Sequence, residues 1–402
     1  MIKKVEIENY KSLENLSLEL GRFNVLIGEN GCGKTNILES LVFAAAGMNG
    51  NVVYNNIASR GGRMSDSKSF RSGFEEQIIS EAIKIKIFDE TKNILNFDFN
   101  NDNKPFSNWV HTITINGKEI QTSIQEEYTA ALNSIIDRVL RTKESDTEWR
   151  EEILKDWTQY YRQSNTKINN LISENKPITS SFAISDYIIY APENFFLRNV
   201  NINEPYIDPA GSRGEGLLRL IKIIKKEKPE QYQEIINNLY LIDWFESVVI
   251  DEDINADREF TLSDKYLEDG LKSFDIRNAN EGFLFVLFYL TIFISDYTPK
   301  FFAIDNIDTA LNPKLCSKLI SVLTELAKKH DKQVIITTHN PSVLDGLDLN
   351  DDEQRLFVVA RTKSGRTGAT RIEKKPAING TAPVRLSEQF LRGYIGGLPK
   401  NF

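Results

Sequence analysis

The sequence predicts an α/β protein: a mixed sheet with an antiparallel subdomain and a helical insertion. Three observations predict it. Apolar strands alternate with helices toward the end of the chain, where "KFFAID" (300–305), "KLCSKLISVLTELAKKH" (314–330) and "QVIITTH" (333–339) follow one another. That order and those apolar strands indicate a parallel sheet covered on both faces. Near the start, "GENGCGKT" (28–35) fits G-x-x-x-x-G-K-[ST] and stands between a strand and a helix, the context that gives this pattern its meaning. Between the two ends, "AIKIKIF", "ILNFDF" and "HTITING" read as successive strands separated by turn residues, an antiparallel patch.

Taken in order, residues 3–30 alternate apolar and polar positions in two runs and then reach "FNVLI", a meander feeding a buried strand. "TNILESLVFAAAG" is a helix expected to end at Gly47. The Gly- and Ser-rich stretch 59–73 reads as an exposed loop. From 125 to 172 the apolar period becomes helical, from Tyr128 through Leu140 and again from Ile153 through Ile172, which predicts a helical hairpin too short for a coiled-coil arm. "YIIYAP" (187–192) is a strand, and helices follow from Gly214. "SVVIDED" and "REFTLSD" form a hairpin, and a long apolar helix fills 281–295. The resulting division is 1–120, an N-terminal lobe with the glycine-rich loop; 121–180, the helical insertion; 181–350, a C-terminal lobe; and 351–402, a basic tail or hairpin.

Composition narrows the class. The chain has 402 residues, 41% hydrophobic and 26% charged, ordinary for a soluble globular protein. It has no run long enough to span a bilayer, and "MIKKVEIENY" has no signal-peptide core. Two cysteines, Cys32 and Cys316, make neither a disulfide framework nor a metal-ligand spacing. A cytoplasmic protein without a membrane partner is expected. The net charge of −8 gives no overall attraction to nucleic acid. Residues 361–402 nevertheless hold nine Lys or Arg against two Glu, or +7. They are read as a solvated hairpin or as a docking surface for nucleic acid or an acidic partner.

Chemistry concentrates at strand ends. In the loop Gly28, Glu29, Asn30, Gly31, Cys32, Gly33, Lys34, Thr35 and Asn36, glycines turn backbone N–H groups toward phosphate oxygens, and the helix N-terminus adds a favourable field. Lys34 would reach the β and γ phosphates, and the Thr35 hydroxyl would ligate Mg²⁺. Asp305 ends the strand "FFAID" at the carboxyl edge, where it would hold Mg²⁺ through its water shell. His339 closes the next strand, where its imidazole can donate to a γ-phosphate or polarise water. Asp251, Glu252 and Asp253 read as an exposed turn rather than a metal site.

These residues together resemble a family. "IENYKSL", "GENGCGKTNILESL", the "ID" strand and "TTHNP" are similar to the ABC-type ATPase heads of the SMC, RecF and OLD groups, and to the short stand-alone ATPases of bacterial defence operons. The matching stretches are about 1–47 and 185–350. The resemblance implies a P-loop ABC-type head that binds ATP and Mg²⁺ and forms a homodimer or higher homo-oligomer around ATP, each P-loop facing its partner's signature motif. In "RNANEGFLFVLFYL" that place falls on Asn280, Glu281 and Gly282; an Asn-capped core helix is the competing reading. It also places Asp308 and Asn312 near the dimer seam and makes Gln77 a counterpart of the Mg-contacting glutamine. "RGEG" (213–216) matches a stretch of the stand-alone ATPases, with no role derivable.

One departure matters. The family carries a glutamate after "ID", and here Asn306 stands there. An amide is no base at neutral pH, and losing a general base costs roughly 10²- to 10⁴-fold in rate. Slow hydrolysis with intact ATP binding is expected, with Asp308 or His339 as substitutes. The functional expectation is an ATP-gated scaffold that senses a nucleic-acid or phage signal and controls an effector protein of the same operon. A RecF-like repair ATPase acting directly on DNA is the alternative.

Overall fold

In the computed structural model, residues 1–49, 52–74, 81–104, 107–122, 183–198, 208–250, 260–373 and 384–398 are described. Strands β1 (Ile2–Tyr10) and β2 (Leu13–Glu19) form the expected meander, and β3 (Phe23–Ile27) is buried throughout. Helices α1 (Lys34–Met48) and α2 (Tyr54–Ala58) follow, then β4 (Ile83–Asp89), β5 (Ile94–Asn100), β6 (Val110–Ile115) and β7 (Lys118–Thr122). After them come β8 (Ile189–Tyr190), α3 (Asn194–Arg198), α4 (Leu217–Glu227) and α5 (Pro229–Leu239). A small sheet uses β9 (Phe245–Ile250), β10 (Phe260–Asp264) and β11 (Ser273–Asp275). The rest is α6 (Glu281–Ile294), β12 (Phe301–Ile304), α7 (Pro313–Lys329), β13 (Gln333–Thr338), β14 (Gln354–Arg361), β15 (Thr367–Ile372) and α8 (Leu386–Leu391).

Two six-stranded sheets carry the structure. The first is antiparallel, ordered β2-β1-β4-β5-β6-β7; the second is ordered β15-β14-β3-β13-β12-β8. Within the second, β14, β3, β13, β12 and β8 run parallel and β15 runs antiparallel. Helix α1 lies between them, against β1, β4 and β6 on one side and β8 and β13 on the other. Its apolar residues face all round, as a helix buried on every side requires. One core fills this layer, and another fills the opposite face of the parallel sheet under α4 to α7.

Several expectations change. Gly47 does not end its helix; it is a buried position near the end of α1, packed against Phe99, and Asn49 is the cap. The 59–73 stretch is exposed at Arg63, Ser65, Asp66, Lys68, Ser69 and Gly73 but anchored at both ends: Arg60, Phe70, Arg71 and Ser72 are buried, and Arg60 donates to Tyr187 O at 2.9 Å. Of segment 351–402, β14 and β15 belong to the central sheet, with β14 paired directly to β3. The helical hairpin at 125–172 and the Asp251–Asp253 turn lie outside the described residues.

Helix α6 is apolar on all faces, and its polar ends are closed individually. Asn280 accepts from Phe283 N at 2.8 Å at one end. Beyond the other, the buried Lys332 ammonium donates to Ser295 O (2.7 Å), Thr298 O (2.8 Å), Thr298 Oγ1 (2.9 Å) and Pro299 O (3.2 Å). Removing that donor strands the Thr298 and Pro299 carbonyls, since Ser295 O keeps the Thr298 hydroxyl as donor; each costs about 1–3 kcal/mol if unsatisfied. Lys332→Met is therefore expected to lower unfolding free energy by at least about 2 kcal/mol in urea denaturation. Burial pushes Lys332 from 10.5 down to about 7. Between those values the unfolded chain binds more protons there, so this group makes stability rise with pH across the window. Lys332→Met should flatten that rise.

Candidate functional site

The site forms where β3, β13 and β12 end. Gly33 has φ 109°, and a Cβ there would come within 2.2 Å of Thr367 Oγ1, so only glycine fits. Gly28 is pressed as closely on β14, where a Cβ would meet Val359 O at 2.1 Å. The loop between them is fixed from outside. Asn36 Nδ2 donates to Ser12 Oγ at 2.7 Å, and the Thr367 hydroxyl lies 2.7 Å from both Ser12 Oγ and Cys32 O. Arg361 Nε donates to Gly31 O at 3.0 Å. Sequence reading missed Ser12, Thr367 and Arg361, because each gains its role only from a carbonyl or hydroxyl that the fold brings close.

Lys34 is buried, its ammonium donating to Gly28 O (2.9 Å) and Glu29 O (3.1 Å). Burial lowers its pKa, against the opposing pull of Cys32 and Asp305. Phosphate oxygens would exchange for these two carbonyls. Cys32 is buried. Thr35 Oγ1 donates to an Asp305 carboxylate oxygen at 3.1 Å, and Thr337 Oγ1 donates to the other at 2.5 Å. These residues fit Mg²⁺: the donors are hard oxygens, and adjacent octahedral ligands at about 2.1 Å from the ion lie about 3 Å apart. Mg²⁺ there would neutralise phosphate charge. Gln77, the other expected ligand, lies outside the described residues. Among the described residues no group of three or more His, Cys, Asp or Glu side chains makes a separate metal site.

Asn306 is exposed, with φ 55°, a left-handed turn position that Asn tolerates better than Glu. Its N–H donates to Thr337 Oγ1 at 2.8 Å. Asp308 accepts from Thr338 Oγ1 at 2.6 Å. His339 is largely exposed beyond β13 and contacts the Gly28 backbone; partial desolvation of its ring and then the Lys34 charge lower its pKa. Lys34, Thr35, Asp305, Asp308 and His339 thus gather at one sheet edge.

Other expected residues sit apart from the loop. Asn280 is engaged as the α6 cap, and Gly282 faces the Ala310 carbonyl, where a Cβ would lie at 3.1 Å. Asn312 caps α7, accepting from Leu315 N at 3.0 Å. Glu39, unmarked in sequence, is buried beneath the site and held by Lys11 at 2.5 Å and Arg63 at 2.6 Å. Burial alone would raise its carboxyl, but Arg63 and Lys11 hold it below the ordinary value. The C-terminal segment packs into the core: Phe390 is buried, and Gly397 lies against Val358 and Gly28.

This arrangement, a P-loop helix joined to an Asp-terminated strand one place beyond β13 in the parallel sheet, is that of a nucleotide-binding ATPase domain. The chain belongs to the AAA family described as "AAA domain, putative AbiEii toxin, Type IV TA system", whose model matches residues 23–345. Among solved structures it is similar to "the SmcHead bound to the C-winged helix domain of ScpA", with 14% identity, TM-score 0.54 and coverage of 92% of this chain and 98% of that one. It also matches the SMC head domain from Thermotoga maritima at 12% identity and TM-score 0.47, covering 93% and 99% of the two chains. The first supports the ABC-type P-loop fold; the second is too distant to carry an argument. No curated protein matches the chain.

Thr367→Val removes the hydroxyl that ties Ser12 to Cys32 O while keeping the side-chain volume. ATP affinity measured by calorimetry is expected to fall about fivefold to tenfold, the cost of one net hydrogen bond of about 1 kcal/mol or more. The melting temperature should move little.

Proposed function

We propose that this chain is an ATP-binding, slowly hydrolysing ABC-type head that dimerises around ATP and Mg²⁺ and acts as a sensor or scaffold controlling an effector protein in antiphage defence. The observation that carries the reading is the pairing of the phosphate and metal cradle of Lys34, Thr35 and Asp305 with Asn306 at the turn after Asp305. The cradle supports binding. The amide supports retention, because it cannot take a proton from water. Dimerisation is supported by the exposed start of α6, where Asn280 and Gly282 stand beside the Ala310 turn and can meet the nucleotide of a second copy.

The family description names a toxin of a toxin–antitoxin system, and the similar SMC head is bound by a domain of another protein. Both support a head whose product is a changed contact with a partner. A repair ATPase gripping DNA is less favoured. Four of the basic residues in 361–402 already serve the fold: Arg361 holds Gly31 O, Arg366 pairs with Glu14, Arg371 with Asp352 and Arg392 with Glu388. No described helix is long and apolar enough to cross a membrane, which suits the proposed cytoplasmic site of action.

Sedimentation velocity tests the dimer. ATP with Mg²⁺ is expected to shift wild type from monomer to dimer, and Gly282→Glu, which places a carboxylate where the second nucleotide would approach, is expected to remain monomeric while still binding ATP. A wild type of unchanged size with saturating ATP would contradict this reading.

A further inference from the structure

Beside the nucleotide site lies a cavity of 920 Å³, walled by α2 and Gly61–Gly62 on one side and by the "RGEG" turn on the other. Its floor carries Ile189, Ala191 and Glu193. The register places this floor. Ile189 pairs with Ala303 and Tyr190 with Ile304, so Ala191 stands level with Asp305. Asp305 N donates to Tyr190 O at 2.9 Å. Beyond Tyr190 the chain stays extended on the turn that carries Arg213: Ala191 N donates to Ser212 O at 2.8 Å, and Glu193 N to Arg213 O at 3.0 Å.

Alternation then fixes the faces. Ile189 and Ala303 belong to the core layer that contains α1, whereas Tyr190 and Ile304 belong to the opposite core. Asp305 follows Ala303 in parity and meets Thr35 of α1. Ala191 and Glu193 line the same cavity as Ile189, which puts them on the α1 side of the sheet. A glutamate side chain from there extends toward the strand end where Lys34 and Asp305 would hold a phosphate and its metal.

The competing carboxylates have other duties. Asp308 is engaged by Thr338, and Glu215 is buried and accepts from both Arg213 N (2.9 Å) and Arg213 Nε (2.8 Å). The Arg213 guanidinium also stacks on Phe196 at 4.0 Å, which gives "RGEG" a role as the rigid wall of the cavity. Glu193 is exposed, and its carboxylate has no hydrogen bond among the described residues.

We propose that Glu193 is the general base that replaces the carboxylate missing at 306. It takes a proton from a water whose oxygen forms a bond to the γ-phosphorus, while the bond from that phosphorus to the β–γ bridging oxygen breaks. ADP and inorganic phosphate are the products. The assignment rests on the ATP-binding reading above and explains a slow rate rather than none, because the base stands on the neighbouring strand.

The test is single-turnover hydrolysis of Mg-ATP by wild type and Glu193→Gln, with the ATP dissociation constant measured for each and Lys34→Ala as the non-binding reference. Glu193→Gln should bind ATP as wild type does and hydrolyse it roughly 10²-fold more slowly. Equal hydrolysis rates at equal affinity would overturn the role of Glu193 and leave the ATP reading standing. Wild type that binds ATP without hydrolysing it would overturn the role equally. Failure of wild type to bind ATP would overturn both.

Discussion

One carboxylate, Asp305, holds the site in register. Its oxygens accept from Thr35 at the start of α1 and Thr337 at the end of β13, and its amide is bonded to Tyr190 of β8. Three strands and the P-loop helix therefore meet at one residue. Hydrogen bonds to a charged group are worth roughly 1.5–3 kcal/mol each, enough to fix the relative height of the strand ends. The same hard oxygens would face a bound Mg²⁺ and its water shell, so the strut that builds the site is also where the metal would sit.

The loop is braced from the far side by elements distant in sequence. Thr367 and Arg361 come from β15 and β14, more than three hundred residues beyond Cys32 and Gly31, whose carbonyls they hold. Bound phosphate would exchange the Lys34 bonds to Gly28 and Glu29 for bonds to oxygen anions. A loop held from outside can make that exchange without reshaping its backbone, which keeps the entropic cost of binding low.

Much of this was legible in the sequence. The apolar strands "FNVLI", "FFAI" and "VIITT" and the motifs at their ends specify the parallel sheet and its functional edge, because local pattern and chemistry coincide there. The pairing of β14 with β3 was not legible, since an alternating basic hairpin does not show which strand it will join. Buried anchors in a polar loop were missed for a related reason: Arg60 and Arg71 look like surface residues until their backbone carbonyl partners are known. Ser12 and Glu39 are invisible one residue at a time. They acquire meaning only through partners brought close by the fold.

Asn306 stands where two constraints meet. Its backbone, at φ 55°, favours Asn over Glu by roughly 1 kcal/mol, and its amide withholds a base from the γ-phosphate position. On the proposed function, this residue makes ATP a held signal rather than a fuel. Steady-state ATP turnover by wild type and Asn306→Glu, with Lys34→Ala as the blank, tests it most directly. The account predicts slow wild-type turnover that rises at least about tenfold in the glutamate variant. Brisk wild-type turnover, unchanged or reduced in that variant, would contradict it.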